Sequence, residues 1–98
     1  MYKCIILPLA KEDIHEAAKW YNKQQAELGK RFTAEVREKV HFIRQNPKAF
    51  NVRYDEVRTA VLNVFPFMIH FTVDEENKTI IISAVLHTSR DPKLWNNR

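Results

Sequence analysis

Three residues have types suited to work on a phosphate: Arg58, His87 and Arg90. A guanidinium presents a planar fork of donors that fits phosphate oxygens. An imidazole takes up or gives away a proton near neutral pH. Cutting RNA through its own 2′-hydroxyl needs a base for the hydroxyl proton, cations beside the pentavalent phosphate, and an acid for the leaving oxygen. His87 with Arg58 and Arg90 would supply most of that set, with Tyr54 as a further proton donor. Lys48 and Arg53 add charge nearby in the chain, and Trp95 offers either a ring on which a base stacks or a piece of core. Each group also has a plainer use. An Arg at a strand end is ordinarily solvated. His87 can cap its strand or bond the loop, and Arg90 can pair with Asp91 for little gain.

Other chemistries find no support. The histidines are His15, His41, His70 and His87, with no pair four apart on a helix and no zinc-ligand spacing. Gly29 is the only glycine, so no glycine-rich loop exists to cradle a nucleotide. Cys4 is the only cysteine, which rules out an internal disulfide and fits a reducing cytoplasm. It lies in an apolar stretch and reads as core. Asp74-Glu75-Glu76 reads as a solvated turn. No metal or cofactor is expected.

The elements that must position these residues follow from periodicity. Lys3 to Leu7 predicts a strand stopped by Pro8. Ile14, Ala17, Tyr21 and Leu28 recur at helical steps, which predicts a helix over 10–28. Gly29 stands where a helix C-cap is wanted. Phe32, Val36, Val40 and Ile43 predict a second helix over 30–45, ended by Asn46-Pro47. Trp20-Tyr21 reads as packing inside that helical hairpin, while His15 and His41 fall among charged residues and read as solvated. The period then becomes alternating. Phe50, Val52 and Tyr54 lead to a turn at Asp55-Glu56, a strand over 57–64 follows, and Phe65-Pro66 breaks it. Phe67, Ile69, Phe71 and Val73 make the next strand, and Asp74 to Asn77 turn the chain. Thr79 to Leu86 is apolar on both faces, as a central strand requires. The residues from His87 to Pro92 leave the sheet as a loop. The expected class is α+β, a helix hairpin packed on a mostly antiparallel sheet, in one domain spanning 1–98.

Composition is consistent with this. An apolar fraction of 45% with one glycine argues for a compact fold over disorder. A net charge of +4 draws the chain mildly toward polyanions. Between Lys11 and Arg44 the basic and acidic residues are mixed, without a block of like charge. The residues before Pro8 are too few for a signal peptide, and no apolar run is long enough to cross a membrane.

Several fragments, taken in order, resemble the RelE/ParE toxin superfamily, especially its ParE-like plasmid-stabilisation members. They are Trp20-Tyr21, Leu28-Gly29-Lys30-Arg31-Phe32, Asn46-Pro47, Val57-Arg58, Phe65-Pro66-Phe67, and His87-Thr88-Ser89-Arg90-Asp91-Pro92 with Trp95. The resemblance implies a βααβββ fold and a cognate antitoxin whose C-terminal segment wraps the toxin. It implies one of two targets: DNA gyrase in the ParE-like branch, which does not cut RNA, or messenger RNA on the ribosome in the RelE-like branch. It also admits a degenerate toxin that acts only in antitoxin binding and promoter autoregulation. Arg58 matches the family's strand arginine, and His87 with Arg90 matches its His-x-x-Arg. The RelE-like nucleases carry paired lysines ahead of that arginine. Here Arg53-Tyr54-Asp55-Glu56-Val57 stands instead, with two acids that repel phosphate. The tail has Trp95 where many nucleases have a tyrosine. The expected target-binding set is Arg53, Tyr54, Arg58, Arg90 and Trp95; Arg58, His87 and Arg90 are catalytic only in a nuclease.

Overall fold

The computed structural model describes residues 1–92, so the reading of Leu94 and Trp95 lies outside the described residues. The elements run β1 (Lys3–Ile6), α1 (Pro8–Gln24), α2 (Leu28–Gln45), a 3-10 turn (Pro47–Ala49), β2 (Val52–Tyr54), β3 (Val57–Val61), β4 (Phe67–Asp74) and β5 (Thr79–His87). The strands form one sheet in the order β1-β5-β4-β3-β2. Neighbours are antiparallel except β1 and β5, which run parallel with Ile5 beside Ile81. The helix pair connects one edge strand to the other, and its apolar stripes cover one face of the sheet.

Local chemistry sets the boundaries. Pro8 ends β1 and also begins α1, because a first-turn residue needs no amide proton and proline's φ is already helical. Helix α1 stops at Gln24, four residues short of the expected end. Glu27, with φ at 72°, then reverses the chain directly into α2. Gly29 is therefore not a cap. It is a buried residue in the first turn of α2 without a positive φ, and its amide donates to Asn22 Oδ1 at 2.8 Å. A Cβ there would stand 2.2 Å from the Ala18 carbonyl oxygen. Glycine is needed for the close approach of two helix backbones.

The core is aromatic at one end. Tyr21, Phe32, Phe65 and Phe67 meet mostly edge to face, with Phe32 and Phe65 at 5.3 Å and 88°. Ile43, Ile69, Phe71, Ile80 and Ile82 continue it with no exposed surface. Strand β3 ends at Val61 rather than Val64, because Glu35 of α2 captures the next stretch of backbone. Its carboxylate accepts from the amides of Asn63 at 2.7 Å, Val64 at 3.0 Å and Phe65 at 3.2 Å. Glu35→Ala leaves those amides to water and is expected to cost about 1–2 kcal/mol in a denaturant titration. An unchanged midpoint would show that the loop holds itself.

One irregularity decides what faces what. Across β4 and β5, Phe71 pairs with Ile82 but His70 pairs with Ala84, so Ser83 is an extra residue. Before it, Ile80 and Ile82 face the helices; after it, Val85 does, while Ala84 and Leu86 join Met68 on the opposite face. His87 pairs with Phe67 and so lies on the helix side.

Candidate functional site

The bulge directs the end of β5 toward α1, where a groove opens. Ala17, Trp20, Tyr21, Pro66, Phe67 and His87 line it, around about 340 Å³. Tyr21 belongs to the core, and burial pushes its phenol above the ordinary value, so it stays neutral. Trp20 does not pack inside the hairpin as its sequence context suggests. It is 57% exposed, and its ring stands edge-on to Tyr21 at 5.1 Å. The His87 ring meets Phe67 at 5.2 Å on the other wall. Beyond His87 the floor turns polar, with Asp13, Glu16 and Arg90. Asp13 is fixed there because its carboxylate accepts the Val85 amide at 3.0 Å.

His87 has a defined tautomer. Its Nδ1 accepts from the Ser89 amide at 3.1 Å and lies 2.7 Å from the Ser89 hydroxyl. A backbone amide only donates, so Nδ1 carries the lone pair and Nε2 carries the proton. In this arrangement His87 offers a donor and no free basic nitrogen. Arg90 is exposed in the same turn, its amide donating to the His87 carbonyl at 3.1 Å.

Arg58 is elsewhere. It pairs with Phe71 on β4, whereas His87 pairs with Phe67. The two share a face but stand about 13 Å apart along the strands and about 10 Å across them. Arg58 Nη1 donates to the Phe50 carbonyl at 2.6 Å, which ties β3 to the segment after α2. The structure thus brings His87 and Arg90 together and leaves Arg58 apart from both. Lys48 is an ion-pair partner of Glu75 in the β4–β5 turn at 3.7 Å. The Tyr2 hydroxyl and then Lys78 hold the Glu75 carboxyl below its ordinary value. Burial raises the Cys4 thiol, which keeps it protonated.

Arg53 and Tyr54 sit on the edge strand β2, with Arg53 exposed. Tyr54 packs against Met68, Ala84 and Leu86 on the face away from the helices. Its hydroxyl lies 3.0 Å from Nδ1 of His70, a residue with no exposed surface. Tyr54→Phe is therefore expected to cost about 1 kcal/mol of stability, the net worth of one such bond. A stability equal to wild type, with target inhibition lost, would instead make Tyr54 a target-binding residue. Trp20, Pro66 and Phe67 line the groove and were not among the candidates that sequence reasoning named. The available signal was Trp20 beside Tyr21, since only one of two adjacent helical residues can point fully inward.

Comparison with known proteins agrees with this geometry. No curated protein matches the chain. Among solved structures, the chain is similar to one from the chromosomal ParDE toxin–antitoxin system of P. aeruginosa. The TM-score is 0.79 at 22% identity, over 91% of this chain and 98% of that one. It is also similar to a chain of the E. coli RelBE toxin–antitoxin complex, with TM-score 0.66 at 13% identity over 92% and 100%. The isolated E. coli RelE toxin gives 0.65 at 12% over 99% and 95%. These likenesses establish the α+β fold of two helices on a five-stranded sheet. Among the described residues no helix is long and apolar enough to cross a membrane. Residues 4–92 match the family described as the ParE toxin of type II toxin–antitoxin systems, and the chain belongs to that toxin family.

Proposed function

We propose that this toxin works by binding, as an inhibitor of DNA gyrase in the cytoplasm, and cuts no RNA. The observation that carries the reading is the parting of Arg58 from His87 and Arg90. A phosphate in transit needs its base and its cations within hydrogen-bond reach of one another's substrate atoms. Here one guanidinium is held by Phe50, and the one nearby imidazole has its basic nitrogen engaged by Ser89. Membership of the ParE family supports the same choice.

Neutralisation falls to an antitoxin, whose segment seats an apolar side chain in the groove between Trp20 and His87. The groove is apolar where Trp20 stands and charged beyond His87, where Asp13, Glu16 and Arg90 stand. It therefore suits a segment with an apolar anchor followed by a polar residue.

The test is message integrity in a purified bacterial translation reaction, run beside a gyrase supercoiling assay. Intact message with blocked supercoiling is the expected result. Cuts between codon positions on ribosome-engaged message would overturn the reading in favour of a ribonuclease. In that case Arg58→Ala and His87→Ala would each lower cleavage by about 10². Intact message with normal supercoiling would overturn it too, leaving antitoxin binding and promoter autoregulation as the function.

A further inference from the structure

The charges on the two helices are mixed in sequence but sorted in space. Most of the acids turn to the flanks. Asp13 bonds β5, Glu35 bonds the β3–β4 loop, Glu38 stands beside Phe42 and Asn63, and Glu16 borders the groove near His87. Three cations turn there too: Arg44 donates to the Tyr2 carbonyl, Arg31 lies near Val64, and Lys39 lies near Phe42.

What remains on the outer face of the hairpin, away from the sheet, carries more basic than acidic residues. On α1 the spacing of four puts Lys11, Lys19 and Lys23 along one side, with His15 between them. His15, Lys19, Asn22 and Lys23 line one shallow depression, which shows they share that side. It is the side next to α2, since Asn22 bonds Gly29. On α2, Lys30 and Arg37 lie two turns apart on the side facing back toward this row. All five cations are exposed. Two acids stand with them: Glu12, two turns before Lys19 on the same side of α1, and Glu27, 3.9 Å from Lys30. Among the described residues no ion pair engages Lys11, Lys19, Lys23 or Arg37.

We propose that this face docks double-stranded DNA through its phosphates. The α1 row is about 18 Å long at the helical rise. The two rows stand on packed helices about 8–10 Å apart. Rows this close straddle the minor groove of B-form DNA, about 6 Å wide, more readily than the wide, shallow minor groove of an RNA duplex. The chemistry around the charges points the same way. No Phe, Tyr or Trp lines the depression that holds His15, Lys19 and Lys23, where unpaired bases would stack; Trp20 lines the groove on the other flank of α1. No large apolar residue is there to enter a lipid surface either. Contacts limited to phosphate carry no sequence information, so binding is sequence-independent and strongly salt-dependent. This face lies on another flank of α1 from the Trp20 groove and does not depend on the choice between gyrase and ribosome.

The test is fluorescence anisotropy of a labelled DNA duplex titrated with the full chain across a salt series. The expected result is binding whose affinity falls steeply with salt. The double variant Lys19→Glu with Arg37→Glu should lose about tenfold or more in affinity, and its salt slope should be shallower by about two. Lys3→Glu, on β1, should bind nearly as wild type. The milder pair Lys19→Gln with Arg37→Gln should show the same flattening of the salt slope, which keeps the test sound if the charge reversals unfold the chain. Absence of binding at low salt, wild-type affinity and slope in the face variants, or preference for an RNA duplex of equal length would each overturn the proposal.

Discussion

Gly29→Ala is expected to lower the melting temperature by about 10 °C, although alanine is the better helix former. The propensity gain is about 1 kcal/mol. Against it stands a Cβ placed 2.2 Å from the Ala18 carbonyl oxygen and 2.7 Å from the Asn22 side chain. Asn22 can swing away only by giving up the Gly29 amide, and the Ala18 oxygen is backbone within α1. The helices must therefore separate, which opens the packing beneath them around Tyr21 and Phe32. Overpacking of this kind costs about 3 kcal/mol, leaving a net loss near 2 kcal/mol. For a domain of this size that loss corresponds to roughly 8–16 °C. A thermal melt followed by circular dichroism reads it directly. A higher melting temperature would mean the hairpin has slack and Gly29 has no packing role.

Trp20→Ala is expected to weaken the complex with the antitoxin about 30-fold or more while moving the melting temperature by only a few degrees. Exposed aromatic residues at the mouth of an apolar groove carry interface energy out of proportion to their number, about 2 kcal/mol or more each. At 25 °C that is about a 30-fold change in dissociation constant. With 57% of Trp20 already in water, the folded toxin itself has less to lose. Calorimetric titration of the variant with the purified antitoxin separates the two effects. Unchanged affinity would place the antitoxin on another surface. A melting temperature lowered by more than about 10 °C would make Trp20 a core residue.

Much of the fold was legible because the period changes where the structure changes. Val52 and Tyr54 alternate with polar neighbours, and Asp55-Glu56 tolerate the positive φ values that the turn adopts, 40° and 65°. Gly29 misled because one residue type serves two ends. A glycine between two amphipathic runs reads as a cap, and nothing local reports that another backbone passes beside it. The bulge was illegible for a different reason. From Ile80 to Leu86 the strand is apolar on both faces, so a reversal of phase at Ser83 leaves no trace in the pattern. That reversal determines which way His87 faces. The separation of Arg58 from His87 is a matter of register, which parity within single strands does not fix. The groove escaped notice because its walls are drawn from residues of α1, the segment before β4, and β5 that are far apart in sequence.

The strand that joins β1 to the rest of the sheet comes last among the described elements. β5 lies between β1 and β4 and supplies Ile80, Ile82 and Val85 to the core. During synthesis the α1–α2 hairpin can make its helix-to-helix contacts early, since those are local. The first strand waits for a neighbour more than seventy residues away, from Lys3 to Thr79. Until His87 has been added, the groove lacks a wall and β1 lacks the strand it pairs with. A chain cut short before β5 keeps the β2–β3–β4 meander but leaves β1 unpaired and the groove open on one side.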